Sequence, residues 1–208
     1  MSIADKLATV AENVPKVFEA GKQAEYDHFW DAYQDNGNRT SYLYGFMGYG
    51  WTDETFKPKY PLTFITNATS MFNYSSVEHI DCELGFDTYI SLNSTFHKSK
   101  VKRISKFKSD HTITFPDNAF SSCTNLTDIS FVEGSVIGKS INFKDSPLTA
   151  ESAKRVIAIL KDYSGTTYEY KYSVTFSQST IDLLEAEGNT APNGDTWMNY
   201  IQSKGWTT

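Results

Sequence analysis

The residues of this chain that could perform chemistry do not form a recognisable catalytic or metal-binding pattern. Four histidines occur, none of them in an HExxH motif or a cluster with cysteines: His28, His79, His97 and His111. The Ser-Asp-His run at 109–111 has the residue types of a hydrolase triad, but neighbours along a strand point to different faces. The glycine-rich stretch 45–50 lacks the Lys-Ser/Thr of a phosphate-binding loop. We therefore expect no catalytic site, no metal and no cofactor.

The two cysteines, Cys82 and Cys123, do not belong to a CxxC motif. Without metal spacing, two buried free thiols are favoured over a disulfide, although the sequence leaves the pairing open.

Composition restricts the class of partner. The net charge of -6 argues against a nucleic-acid-binding face. No apolar run is long enough to span a bilayer, and the N-terminus shows no apolar core of a signal peptide. The 13 Tyr and 14 Phe are numerous enough to suit either a thin β-rich core or a binding surface.

An internal repeat dominates residues 65–131. Three segments, SMFNYSSVEHI, STFHKSKVKRI and NAFSSCTNLTDI, align with a step of 24 or 25 residues. Four columns keep their apolar or aromatic character in all three copies: Phe72, Phe96 and Phe120; Val77, Val101 and Leu126; Ile80, Ile104 and Ile129; and Ile65, Tyr89 and Ile113. A period of this length predicts a solenoid of stacked coils, in which the Phe positions are equivalent and buried.

The third copy resembles the "AFxxCxxLxxI" core of BspA-type leucine-rich repeats. The matching residues are Ala119, Phe120, Cys123, Leu126 and Ile129. The first two copies have Met71 and Thr95 at the Ala position, and Ser75 and Ser99 align with 122–123. Residues 140–165 and the order of helix then repeats are similar to phage-encoded virion and surface proteins of that group. The resemblance implies an adhesion or surface-interaction role, located on a virion or a cell surface.

The N-terminal segment carries a heptad-like apolar stripe. It consists of Ile3, Leu7, Val10, Val14 and Val17. An isolated helix cannot bury such a stripe, so its partner is either the rest of the chain or other copies of the same helix. Pro15 kinks the helix or starts a second one, which favours a short bundle over a long coiled coil. We expect a homo-oligomer, with a trimer as the first hypothesis.

These patterns predict an α+β fold in four parts. A helical oligomerisation segment spans 1–38, an aromatic and Gly-rich linker 39–61, a leucine-rich-repeat-like β solenoid 62–145, and a helical C-terminal cap 146–208. Within the cap we expect a helix from Thr149 to Gly165, a strand over 168–176, a helix capped by Ser177 or Ser179, and a helix capped by Asp195.

The predicted function is a non-enzymatic structural or adhesion protein of a phage virion, from the tail, a fibre or the head decoration. The alternatives are a monomeric glycan- or protein-binding module and a polysaccharide-degrading domain. The outward positions between the apolar columns form the predicted binding face: Glu78, His79, Lys102, Arg103, Thr127 and Asp128. A competing site is the aromatic linker, with Tyr49 and Trp51. The partner is another virion protein or a cell-surface glycan or protein, without membrane insertion.

Overall fold

A computed structural model describes residues 39–41, 54–58, 61–167, 171–186 and 188–208. The five stripe residues of the N-terminal segment, as well as Tyr49 and Trp51, lie outside the described residues. Self-association through the helix and binding through the aromatic linker therefore stay predictions.

The described residues form a parallel β-solenoid. Its main sheet contains β1 (Arg39–Ser41), β2 (Thr55–Phe56), β3 (Leu62–Asn67), β4 (His79–Phe86), β5 (Arg103–Phe107) and β6 (Asp128–Phe131). The strands run in the order β1-β3-β4-β5-β6, and β2 pairs with the first part of β4. A second parallel pair joins β7 (Ile141–Phe143) to β8 (Val174–Phe176). The predicted solenoid is thus confirmed.

Backbone hydrogen bonds between successive coils repeat with the same period as the sequence. The N–H groups of residues 78 and 79 both donate to the Glu54 carbonyl, those of 102 and 103 to Glu78, and those of 127 and 128 to Lys102. Further round the coil, Phe72 N–H donates to Thr95 O and Phe96 N–H to Ala119 O. Each coil therefore satisfies its polar backbone on its two neighbours.

The core is a column of stacked phenylalanine rings. Phe72 and Phe96 lie 5.6 Å apart between ring centroids with planes 5° apart, and Phe96 and Phe120 lie 5.0 Å apart at 7°. All three are at most 1% exposed, so the predicted equivalence is confirmed. The column is longer than the repeat predicted. It continues through Phe143, 4.8 Å from Phe120, to Phe176, 6.3 Å from Phe143.

The Val/Leu and Ile columns of the repeat are also buried beside these rings, as predicted. The fourth column is not maintained, because Tyr89 is exposed whereas Ile65 and Ile113 are buried. A further buried column of small residues runs through Ser75, Ser99, Cys123 and Ser146. In each, the backbone N–H donates to the phenylalanine carbonyl three residues earlier. Ser146 therefore identifies a fourth copy of this turn, which the sequence comparison did not include.

The linker predicted over 39–61 contains two strands of the main sheet. β1 pairs with β3, and β2 pairs in register with β4, so that Phe56 lies beside Ile80. The coil stacking thus begins before residue 62, because residues 54–56 repeat the outward-outward-inward pattern of residues 78–80.

Among the described residues, three helices lie in the C-terminal region: α1 (Ala150–Ala158) between β7 and β8, and α2 (Gln178–Leu184) and α3 (Trp197–Ser203) after β8. Thr149 caps α1 and Ser177 caps α2, as expected. The cap of α3 is Thr196 and not Asp195, because the Thr196 hydroxyl accepts from Asn199 N–H.

Two other element boundaries differ from the prediction. Helix α1 ends at Ala158 and does not reach Gly165. The reason is that Leu160 forms a parallel bridge to Ile137 and continues the solenoid. In the predicted strand over 168–176, β8 occupies only Val174–Phe176, and residues 168–170 lie outside the described residues.

Helix α1 covers the edge of β6. The fully buried Ser152 hydroxyl accepts a hydrogen bond from Ile129 N–H at 2.7 Å and lies 3.3 Å from Ile129 O, to which it donates. Arg155 Nε donates to the same carbonyl at 3.1 Å, and its Nη2 contacts Asp128. Side chains of a helix therefore replace the next strand at an edge that would otherwise be open.

We predict that Phe96→Ala lowers the free energy of unfolding by about 3–5 kcal/mol, because it removes a ring stacked on both sides. The same change at Phe72 or Phe120 should have a similar effect in chemical denaturation. Leu183→Ala, at an exposed position on α2, is the control and should stay within about 0.5 kcal/mol. A surface-like effect at any of the three phenylalanines contradicts their equivalence.

We also predict that Ser152→Ala destabilises the protein by about 1–3 kcal/mol, because the buried Ile129 N–H loses its acceptor. Ser179→Ala, on the exposed side of α2, is the matched control with little expected effect. Equal unfolding midpoints for the two variants would mean that Ser152 does not protect the edge of β6.

Candidate attachment surface

The six predicted binding residues lie together on one face of the sheet. His79, Arg103 and Asp128 are in-register partners on β4, β5 and β6, and Glu78, Lys102 and Thr127 precede them in the same register. Three of the six are exposed and three are half-buried. We call this set of six residues the strand face.

The coil stacking adds a residue pair that the sequence prediction missed. Glu54 and Thr55 hold the equivalent positions one coil earlier, since Thr55 is the in-register partner of His79. Glu54 lies 24 residues before Glu78, which is the signal that could have identified it. It was assigned to the linker because the neighbouring glycines and aromatic residues mask the repeat.

Charged side chains on this face pair between coils. Glu78 Oε2 lies 2.5 Å from Lys102 Nζ, His79 Nε2 lies 3.4 Å from Glu54 Oε1, and Asp128 contacts Arg155. Each pair joins a residue to a neighbour in the next coil or, for Asp128, in helix α1. These contacts link the outward side chains of successive coils.

The ionisation of this face favours permanent charge. The hydrogen bond from Lys102 lowers the pKa of the Glu78 carboxyl, and the same contact raises the pKa of Lys102. Both shifts stabilise the charged forms of these side chains. Such groups are better suited to electrostatic binding of a partner than to proton transfer.

Arg103 differs from its neighbours. Its side chain is exposed and forms no ion pair with any residue of the described ranges. A guanidinium in this state can donate up to five N–H groups to a carboxylate or to hydroxyls of a partner. It is the donor on the strand face with the greatest freedom to engage another molecule.

One cluster on this face has metal-ligating residue types. Glu54, Glu78 and His79 each place one ligand atom within 4.8 Å of the others. Lys102 already pairs with Glu78, so a cation of the protein itself neutralises part of this charge. Solvent reaches all three side chains, and we assign no ion to them.

Both cysteines are free thiols, as expected, but only Cys123 is buried and Cys82 is half-buried. Burial raises the pKa of Cys82 to about 12, and the adjacent Asp81 and Glu83 add to the increase. Burial likewise raises the pKa of Cys123 to about 11. The Cys123 thiol donates to Phe96 O, so it forms part of the core packing between coils.

Compared with protein-family models, with curated proteins and with solved structures, the chain matches none of them. Within the described residues, no helix combines the length and apolar character that a bilayer-spanning segment requires.

We predict that neither thiol reacts readily with a thiolate-specific reagent at about pH 8 while the protein is folded, because only the thiolate is nucleophilic. Unfolding in guanidinium should release two reactive thiols. The folded thiols bind their protons more tightly than the unfolded ones, so protonation of the two cysteines stabilises the folded state. This stabilisation is fully present below about pH 8.5, the pKa of a cysteine in the unfolded chain. It is lost as the pH rises through the folded values of about 11 and 12. Rapid labelling of the folded chain would contradict the raised pKa values.

Proposed function

We propose that this chain is a non-enzymatic attachment protein that presents the strand face to a polar partner. The observation that carries the proposal is the in-register array of charged side chains held by pairs between coils. The partner is a cell-surface glycan or a protein with complementary charge. A repeat scaffold suits this role, because equivalent positions on successive strands form a broad regular surface.

The wider context of the proposal is a phage virion. It is supported by the resemblance of residues 118–129 to BspA-type repeats and by the order of a predicted helical segment followed by repeats. In that setting the N-terminal segment joins copies of the chain, with a trimer as the first hypothesis, and the solenoid faces outward. If the N-terminal stripe has no role in self-association, the alternative is that the protein is a monomeric binding module.

The mixture of charges limits which partners fit. Glu78 and Asp128 are acidic, whereas Lys102 and Arg103 are basic, so the face lacks the single positive sign that a phosphate backbone requires. Mixed donors and acceptors instead match hydroxyl and amide groups or an oppositely patterned protein surface.

We predict that Lys102→Glu combined with Arg103→Glu weakens retention on immobilised bacterial surface polysaccharides or on whole cells by tenfold or more, while the protein stays folded by circular dichroism. Both basic groups are exposed, and the change reverses their charge. Lys106→Glu with Lys108→Glu, also exposed on or directly after β5, is the matched control and should retain binding.

Two results would contradict the strand face as the site. Retention could survive the Lys102/Arg103 change and be lost on Tyr49→Ala or Trp51→Ala, which would locate binding in the aromatic segment. Retention unaffected by either change would favour a virion building block whose contacts are all to its neighbours.

We predict that Leu7→Glu with Val14→Glu in the full chain converts the oligomer to a monomer in size-exclusion chromatography with light scattering, because charges interrupt the apolar stripe. Thr9→Glu with Lys16→Glu, two positions further along the same heptads, is the control and should leave the mass unchanged. A monomeric unaltered chain would refute self-association without affecting the strand-face proposal.

A further inference from the structure

A cavity opens at the C-terminal end of the solenoid, far along the chain from the strand face. It has a volume of about 260 Å³ and lies between the turn at 163–166, residues 171–172 and the end of α3. Two tyrosine rings, Tyr163 and Tyr172, line it together with polar side chains that include Lys171, Gln202 and Ser203. Its size is below the roughly 300–1,000 Å³ of pockets for drug-sized ligands, so it suits one small ring.

The aromatic part of the wall is fixed before any ligand binds. Tyr163 and Tyr172, which line the cavity, form a triangle with the buried Trp206, which does not line it, with ring centroids 5.4 to 6.0 Å apart. Each polar tip is engaged by the protein: Tyr163 Oη donates to Gly138 O at 2.8 Å, Trp206 Nε1 donates to Lys161 O at 2.8 Å, and Tyr172 Oη accepts from Lys139 Nζ at 3.0 Å. A ligand therefore meets rings that are already in place.

Gly205 brings the opposite wall close to this triangle. Its φ of +83° is in the left-handed region, and a Cβ at this position would lie 2.9 Å from the Tyr163 carbonyl carbon. The Tyr163 N–H donates to Lys204 O at 2.8 Å across the same contact. The end of α3 and the tyrosine turn are thus held together, and residues 202 and 203 are aligned along the rim.

Among the described residues around this cavity, lysines outnumber carboxylates. Lys171 lies on the rim, Lys139 Nζ lies 5.1 Å from the Tyr172 ring centroid, and Lys161 Nζ lies 5.3 Å from the Tyr163 centroid. Asp162 precedes Tyr163 in the chain, and hydrogen bonds from Ser164 lower its carboxyl pKa. The lining residues that the structure describes include no carboxylate. In a chain of net charge -6, the described lysines around this cavity favour an anionic ligand.

We propose that this cavity binds a single acidic sugar, a hexuronate unit of a surface polysaccharide. The C–H groups of the sugar ring pack against the tyrosine side chains, its hydroxyls meet the Gln202 amide and the Ser203 hydroxyl, and its carboxylate pairs with Lys171. The proposal deepens the attachment function and rests on it for its biological setting, but its geometry is independent of the strand face.

The test uses the full chain and two probes that differ in one group, methyl glucuronide and methyl glucoside. Saturation-transfer NMR should show transfer to the glucuronide, with a dissociation constant on the order of 1 mM for one small ring. The glucoside should bind at least fivefold more weakly. Added salt should weaken glucuronide binding, because the attraction between its carboxylate and the lysine is screened. Lys171→Ala with Gln202→Ala, both exposed, should reduce glucuronide binding tenfold or more without changing the melting temperature. Lys144→Ala with Gln178→Ala, exposed elsewhere, should not.

Absence of transfer from either sugar to the folded chain overturns the proposal, as does undiminished transfer in the Lys171/Gln202 variant. Equal binding of the two sugars overturns its acidic specificity. These failures are separate from that of the attachment function, which is read from retention on surfaces after the Lys102/Arg103 change.

Discussion

Hydrogen bonding of each coil to the coil before and the coil after it is the constraint on which this structure depends. The carbonyls of Glu54, Glu78 and Lys102 each accept two backbone N–H groups from the following coil. In-register stacking of the backbone brings equivalent side chains one above another, so the phenylalanines form one continuous column. The edge of the last strand, β6, must also be covered, because its backbone N–H and C=O groups would otherwise lack hydrogen-bond partners. Helix α1 covers this edge through Ser152 and Arg155.

The same constraint separates the residues that fold the chain from those that can bind. Inward positions must keep the Phe, Val/Leu and Ile columns, whereas outward positions can differ from coil to coil without disturbing the core. Outward positions of successive coils can therefore carry opposite charges, as with Glu78 and Lys102. A rigid backbone with varied outward side chains is the physical basis of the proposed attachment function. The tyrosine cavity is the proposed second binding surface, in the C-terminal region.

The 24-residue step predicted the solenoid and three of its four columns, because in a stacked fold the sequence period is also the structural period. The fourth column was wrong, since Tyr89 is exposed. The step missed residues 54–56, where a coil contains prolines at 58 and 61 and follows a glycine-rich stretch. It missed Phe143 and Ser146, where the step shortens to 23 residues and a helix replaces the next strand. The cavity was beyond reach, since Tyr163, Tyr172 and Trp206 belong to no repeat and meet only through the folded C-terminal region. The repeat register also predicted that the six strand-face residues lie next to one another. Their ion pairs could not be predicted, because they depend on side-chain rotamers that sequence spacing does not determine.

Duplication of one coil tests most directly whether the protein is built from units that contact only their neighbours. Residues 77–100 can be inserted a second time before Val101, so that the new junction repeats the existing one. The account predicts a cooperatively folded protein with an unchanged or higher melting temperature. Its longest dimension by small-angle X-ray scattering should grow by about 4.8 Å, the spacing between neighbouring strands. An unfolded product, or a protease-sensitive loop of 24 added residues on a fold of unchanged length, would contradict it.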